Sequence, residues 1–288
     1  MRRLHVLAVH YRYPELLHDQ AERIGRCAGP VCAVLSAELR FHPILHRHVK
    51  SEALVEAVQE VSHRYRGLVD SLDLRDRPMP PGGMSHGYGL VEAYRALRRE
   101  GLGEDDLIAV LDHDTHPLNS GLFATVGAAL LAADVAGVGI PQWGRGHWFL
   151  HPSLLVTHAA TLERIGLQVF LARPPAYPGD RGWWDTAEGF TRWCEANGRG
   201  ILPLRFESNG FPWKRPDSDE QSLEIVGWHG ETLSDGYLMR YGLEPGHPLV
   251  SHLRASPLGP FQDLGVSDHT WDEVLAAYLA EPFLEAGA

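Results

Sequence analysis

Asp106-Leu107-Ile108-Ala109-Val110-Leu111-Asp112-His113-Asp114-Thr115-His116-Pro117 is the stretch on which the fold turns. Its apolar run, Leu107 to Leu111, lies between Asp105-Asp106 and a polar tip closed by Pro117. A run so short and so apolar fits a central parallel strand better than a helix, which would need more residues. Asp112 and Asp114 are two apart, so on an extended backbone their carboxylates project from one face. Two hard oxygen ligands at a strand end suit Mg2+ or Mn2+, cations that keep positions open for water and phosphate. In an open α/β sheet, ligands collect beyond the carboxyl ends of the strands, where this tip lies. The same residues also fit a plain Asp-rich turn, because Asp caps turns and helix starts through its own backbone hydrogen bonds.

At 288 residues the chain has room for one large α/β domain, or for a domain with an appendage. Its 44% hydrophobic and 22% charged residues are ordinary for a globular protein, with no repeat or low-complexity tract. A formal net charge of −11 argues against nucleic acid as a general partner, since phosphate backbones call for a basic footprint. A small anionic substrate stays open if a divalent cation neutralises it locally. Cys27, Cys32 and Cys194 are too scattered for a disulfide framework and form no Cys-x-x-Cys pair. The apolar run Leu4 to Val9 is too short for a signal peptide, and Leu122 to Ala133 falls well below the roughly 20 residues of a membrane span. These features predict a soluble, cytoplasmic protein.

From the tip outward, the elements alternate. Leu4 to Val9 is a first strand with a polar exit, His10-Tyr11-Arg12-Tyr13, and Pro14 opens a helix that stops at Gly29-Pro30. Val31 to Ser36 reads as the second strand, Ser51 caps a helix to about Tyr65, and Gly67 to Leu72 is a further strand. Arg75 to His86 is loop and Gly87 to Arg99 helix, followed by the central strand, a helix from Gly121 to Ala133 and a strand from Val135 to Ile140. Strand and helix at such short spacing predict right-handed crossovers and a mainly parallel sheet. After Pro141 the chain changes character, for all eight tryptophans follow it and the loops lengthen. Ser153 to Ile165, Thr186 to Ala196 and Thr270 to Leu279 read as helices; Ile201 to Arg205 and Leu223 to Val226 read as strands.

Other groups could carry chemistry. The loop Gly82-Gly83-Met84-Ser85-His86-Gly87-Tyr88-Gly89 could bring backbone N–H groups to a phosphate, although it lacks a Walker pattern and a flexible turn is the better reading. Asp185 follows Trp183-Trp184. Asp185-x-x-Glu188 is a capping box, and a carboxylate beside two indoles is also suited to act as a general base. His229, in Gly227-Trp228-His229-Gly230, could complete a metal site with Asp112 and Asp114, or be one of 17 histidines in ordinary hydrogen bonds. His113 and His116 raise a zinc reading. On a strand, however, His113 points away from Asp114, and Pro117 stops any helix that would bring His116 around, so a hard cation ranks first.

In order and spacing, these pieces resemble the GT-A-fold glycosyltransferases that use nucleotide sugars, in particular the family-2-like group. The resemblance runs from about Leu4 to Gly230. It rests on the aromatic strand exit His10-Tyr11, the Gly-containing entry to the helix from Gly87, the strand-borne Asp112-His113-Asp114, the Trp184-Asp185 helix start and the late Trp228-His229. It implies a mainly parallel, Rossmann-like sheet flanked by helices. Residues 1–141 would form a nucleotide-sugar-binding half and residues 142–288 an aromatic-rich, acceptor-binding half of one continuous domain. It further implies Mn2+ or Mg2+ on Asp112 and Asp114, with His229 as a further ligand, holding the diphosphate of a UDP- or GDP-sugar. His10, Tyr11, Glu38 and Asp70 or Asp73 would lie near the nucleotide base, and Asp185 would take the proton of a small or glycan acceptor. Trp184 precedes Asp185 where an acidic residue is usual, and the first strand lacks a Pro/Thr-x-Tyr-Asn exit, so inverting and retaining chemistry both stay open. The rival classes are a metal-dependent phosphoester hydrolase and a non-catalytic binding protein on the same fold.

Overall fold

Strand β1 (Arg2–His10) lies inside the main sheet of the computed structural model, with apolar residues facing helices on both sides. The structure describes residues 1–46, 49, 51–77, 84–144, 147–171, 186–212, 224–226, 229, 232–234, 236–253 and 271–286. After β1 come α1 (Pro14–Arg26), α2 (Ala28–Leu35), β2 (Ala37–His46), α3 (Glu52–Arg64), β3 (Leu72–Leu74), α4 (Met84–Arg99), β4 (Leu107–Asp112), β5 (Thr115–Pro117) and α5 (Leu122–Ala132). Then follow β6 (Gly137–Gly144), β7 (His147–His158), α6 (Ala159–Ile165), a 3-10 turn (Leu167–Phe170), α7 (Glu188–Ala196), β8 (Ile201–Pro203) and β9 (Arg205–Pro212). The last elements are β10 (Glu224–Val226), β11 (Thr232–Ser234), β12 (Gly236–Gly242), β13 (Pro248–Leu253) and α8 (Trp271–Leu279).

The main sheet has the order β3-β2-β1-β4-β7-β6-β8. Its strands run parallel except β7, which is antiparallel to both β4 and β6. Residue alternation sorts the two faces. Leu4, Val6 and Ala8 with Leu107, Ala109 and Leu111 pack under α1, α2, α3 and α5. Leu7 and Val9 with Ile108 and Val110 pack under α4, α6 and α7. A second sheet, β5-β13-β12-β9, stands beyond the end of β4. This mainly parallel sheet, flanked by helices, has a Rossmann-like α/β architecture. β6 crosses residue 141, and β7 and β8 extend the sheet begun by β1, so the two halves share one layer. Among the tryptophans, Trp193 packs, partly buried, on the core beneath α4.

Several elements differ from the sequence reading. Val31 to Ser36 belongs to helix α2, and the second strand starts at Ala37. A short apolar run does not reveal its period, whereas here Val31 and Leu35, four apart, are buried and Cys32, Ala33 and Val34 are exposed. Pro30 sits in the first turn of that helix, where its missing N–H costs nothing. Ser153 to His158 is strand, with α6 starting only at Ala159, because the run is paired on both sides by β4 and β6. α4 starts at Met84, ahead of the expected Gly87, and Ser51 caps α3 by accepting from Leu54 N–H.

Candidate metal centre

Asp112 is the last residue of β4, and its position continues the face of Ile108 and Val110 that α4 covers. The backbone does not stay extended beyond it. It turns at His113-Asp114 and returns as β5. Gln20, buried on α1, braces the turn by donating to the carbonyls of Asp112 (2.9 Å) and Thr115 (2.6 Å). β5 pairs antiparallel with β13, setting Thr115 opposite His252, and Leu253 N–H donates to the Asp114 carbonyl at 2.8 Å. His252 thereby reaches the acidic pair. One ligand atom each from Asp112, Asp114 and His252 all lie within 4.8 Å of one another. His252 Nε2 is 3.6 Å from Asp114 Oδ1 and 4.0 Å from Asp112 Oδ2.

The Asp112 carboxylate is met by three imidazoles and a hydroxyl. His86 Nε2, from the first turn of α4, lies 3.4 Å from Oδ1; His151 Nδ1 is 3.6 Å from Oδ2; Ser153 donates to Oδ2 at 3.0 Å. Burial pushes the Asp112 carboxyl above the usual range; His151 opposes the rise and the Asp114 charge adds to it. Two inward carboxylates with an imidazole, drawn out of water, form a donor set that a divalent cation fits.

The other expected site residues scatter. His10 is fully buried, its ring edge-on to Phe41 and His113, and burial, reinforced by His113, pulls its pKa to about 3. Tyr11 stands at the β1 exit, half-buried, its ring 4.4 Å from that of His46 and 5.4 Å from that of His113. Glu38 is a correction. With β2 starting at Ala37, Glu38 pairs in register with Arg3, at the end of the sheet opposite to Asp112, and bonds Arg40 at 2.6 Å. Asp70 is another, because its backbone pairs with Phe41 midway along β2, whereas Asp73 lies level with Leu45 and so with His10. His229 is exposed, with Nε2 3.1 Å from the Pro203 carbonyl, and the imidazole beside the pair is that of His252. Asp185 lies outside the described residues; Glu188, which opens α7, is buried 2.9 Å from His147 Nε2. Gly87 and Gly89 answer to packing: a Cβ at Gly87 would lie 2.0 Å from the Phe170 carbonyl oxygen, and one at Gly89 3.2 Å from Val9.

His86, His151 and His252 were not legible as site residues. His151 lay just ahead of a supposed helix and His86 in a supposed loop, while His252 joins through a pairing 137 positions away from Thr115 (252 − 115). The only hint of β13 in sequence is the apolar pair Leu249-Val250 ahead of Ser251-His252-Leu253, too common a pattern to single out.

No protein-family model matches the chain, and no curated protein does. Solved structures with similar backbone course include a mannosyltransferase from Pyrobaculum calidifontis in complex with GDP-Man and Mn2+ (16% identity, 70% of this chain and 55% of that one, TM-score 0.48). A 4-diphosphocytidyl-2C-methyl-D-erythritol synthase from Anaerococcus prevotii matches at 8% identity over 70% of this chain and 88% of that one (TM-score 0.44). A glycosyltransferase involved in glycosylation of the major capsid of PBCV-1 matches at 7% over 56% and 63% (TM-score 0.30). The chain thus spans about half the length of the mannosyltransferase. No described helix is long and apolar enough to cross a membrane.

Proposed function

We propose that the chain is a divalent-metal-dependent glycosyltransferase that moves a sugar from a UDP- or GDP-linked donor to a small or soluble acceptor. One observation carries this reading: the Asp112, Asp114 and His252 ligand atoms converge beyond the carboxyl end of a mainly parallel sheet, where such sheets bind ligands. Mn2+ or Mg2+ held by these three side chains would neutralise a diphosphate as it becomes a leaving group. Tyr11, just past the end of β1, and Asp73, in the short strand β3, would meet the nucleoside. Asp185, just ahead of α7 in sequence, takes the acceptor proton in an inverting reaction. Calorimetry with UDP, GDP and their sugars, with and without Mn2+, tests the reading. Binding should need the cation and be lost in Asp112→Asn and Asp114→Asn. Failure of every nucleotide sugar to bind, with or without metal, overturns it. Asp185→Asn should lower kcat by about 10²- to 10⁴-fold with donor affinity unchanged.

A second reading is favoured by the three imidazoles within 4.0 Å of Asp112, since nitrogen-rich surroundings suit Zn2+. A metal-dependent phosphoester hydrolase would carry zinc as purified and turn over simple phosphoesters.

A further inference from the structure

One buried hydroxyl stands behind the candidate ligands. β4 and β7 pair Leu111 with Leu154, so Ser153 is the next residue opposite Asp112. Ser153 is fully buried. Its Oγ donates to Asp112 Oδ2 at 3.0 Å, lies 3.3 and 3.2 Å from Nδ1 and Nε2 of His252, and hydrogen-bonds with Nδ1 of His151. A hydroxyl has one proton to give and two lone pairs to receive. Giving to the carboxylate, Ser153 Oγ can receive from His252, while the Ser153 backbone N–H donates to His151 Nδ1 at 3.2 Å, so this one residue ties the carboxylate to both rings. The backbone is shaped for this. Gly139 pairs with Leu155 and Pro141 with Leu150, so two steps along β6 answer five along β7, a bulge that spans His151 to Leu154. Bulges re-aim side chains, and Pro152, with no N–H to offer a ladder, falls within this one. Gly139 permits it, because a Cβ there would lie 2.2 Å from the Leu154 carbonyl oxygen.

We infer that Ser153 is the positioning residue of the metal centre, holding the Asp112 carboxylate and the His252 ring in the orientation a cation needs. The inference rests on the metal reading above. The test is Mn2+ affinity, by calorimetry and by the electron paramagnetic resonance of the bound ion, on wild type, Ser153→Ala and Ser153→Thr, with metal-free melting as a check of fold. Ser153→Ala should bind Mn2+ about tenfold or more weakly, as losses behind a metal ligand do. Its metal-free melting should match wild type. Ser153→Thr keeps the hydroxyl and should bind like wild type. Wild-type affinity in the Ala variant overturns the inference, as does equal weakening by Ala and Thr, which would point to packing. An Ala variant unfolded without metal overturns it too, for the hydroxyl would then serve the fold. A wild type that binds no Mn2+ overturns the metal reading itself, whereas binding indifferent to Ser153 overturns this inference alone.

Discussion

Gly139 and Gly29 show how differently one residue type can act in this chain. At Gly139 an added methyl meets backbone that cannot move without undoing the β7 bulge, so Gly139→Ala should destabilise the fold by about 1–3 kcal/mol or more in urea unfolding. At Gly29, inside α2, an added Cβ meets nothing within 4 Å. Pro30 follows, however, and its ring crowds the Cβ of a helical residue ahead of it, so Gly29→Ala should change stability by less than about 0.5 kcal/mol, the gain in helix propensity being offset. At this scale the sequence disclosed Asp112 and Asp114, because they are neighbours along the chain and their pairing needs only one local turn. It concealed Ser153 and His252, which meet the acidic pair only once β7 and β13 have found their partners. Glu38 was misplaced for a related reason: an error of a few residues in where a strand begins moves a side chain to the far end of a sheet.

Among elements, the contact of α1 with β5 and the segment after α8 is held by buried charge. His116 lies between Asp19 (2.5 Å) and Glu281 (3.2 Å) and stacks on Tyr278 with ring centroids 4.0 Å apart. Arg23 bonds Asp19 at 2.8 Å and the carbonyl of Glu281 at 2.8 Å, and Arg240 bonds the Glu281 carboxylate at 2.5 Å. Burial, the largest single influence, pushes both carboxyls up; hydrogen bonds and charge from His116, joined by Arg23 at Asp19 and by Ser251 and Arg240 at Glu281, outweigh it and leave both lowered. Their contribution is therefore present above the ordinary carboxylate range and fades as pH falls below it. Arg23→Ala removes one of the two partners of Asp19 and the donor to the Glu281 carbonyl, and should cost about 1–3 kcal/mol in thermal or urea unfolding. Helices with a cap or a clear stripe, such as α3 behind Ser51, were legible in sequence. α2 and β7 were not, because a short apolar run suits either state until its neighbours decide.

For the molecule as a whole, neutral buried imidazoles set the acid limit. Burial, then the neighbouring His42, lowers His5 to about 4, and burial lowers His10 to about 3 and His42 in the same direction. Each is uncharged in the fold but takes up a proton when unfolded, so stability should fall as pH drops from about 6.5 toward the folded values. At pH 5 His10 alone should account for about 2 kcal/mol, seen as a lower urea midpoint at pH 5 than at pH 7.5. The alternation of short strands and helices disclosed the main sheet in outline; the second sheet, assembled from β5, β9, β12 and β13, left no such rhythm. Its arrangement has a consequence for maturation. A growing polypeptide exposes the acidic pair long before His252 has been synthesised, so the three side chains can come together only after the late hairpin has docked on β5. An ion that needs all three would then tell chains folded through β13 from those that are not.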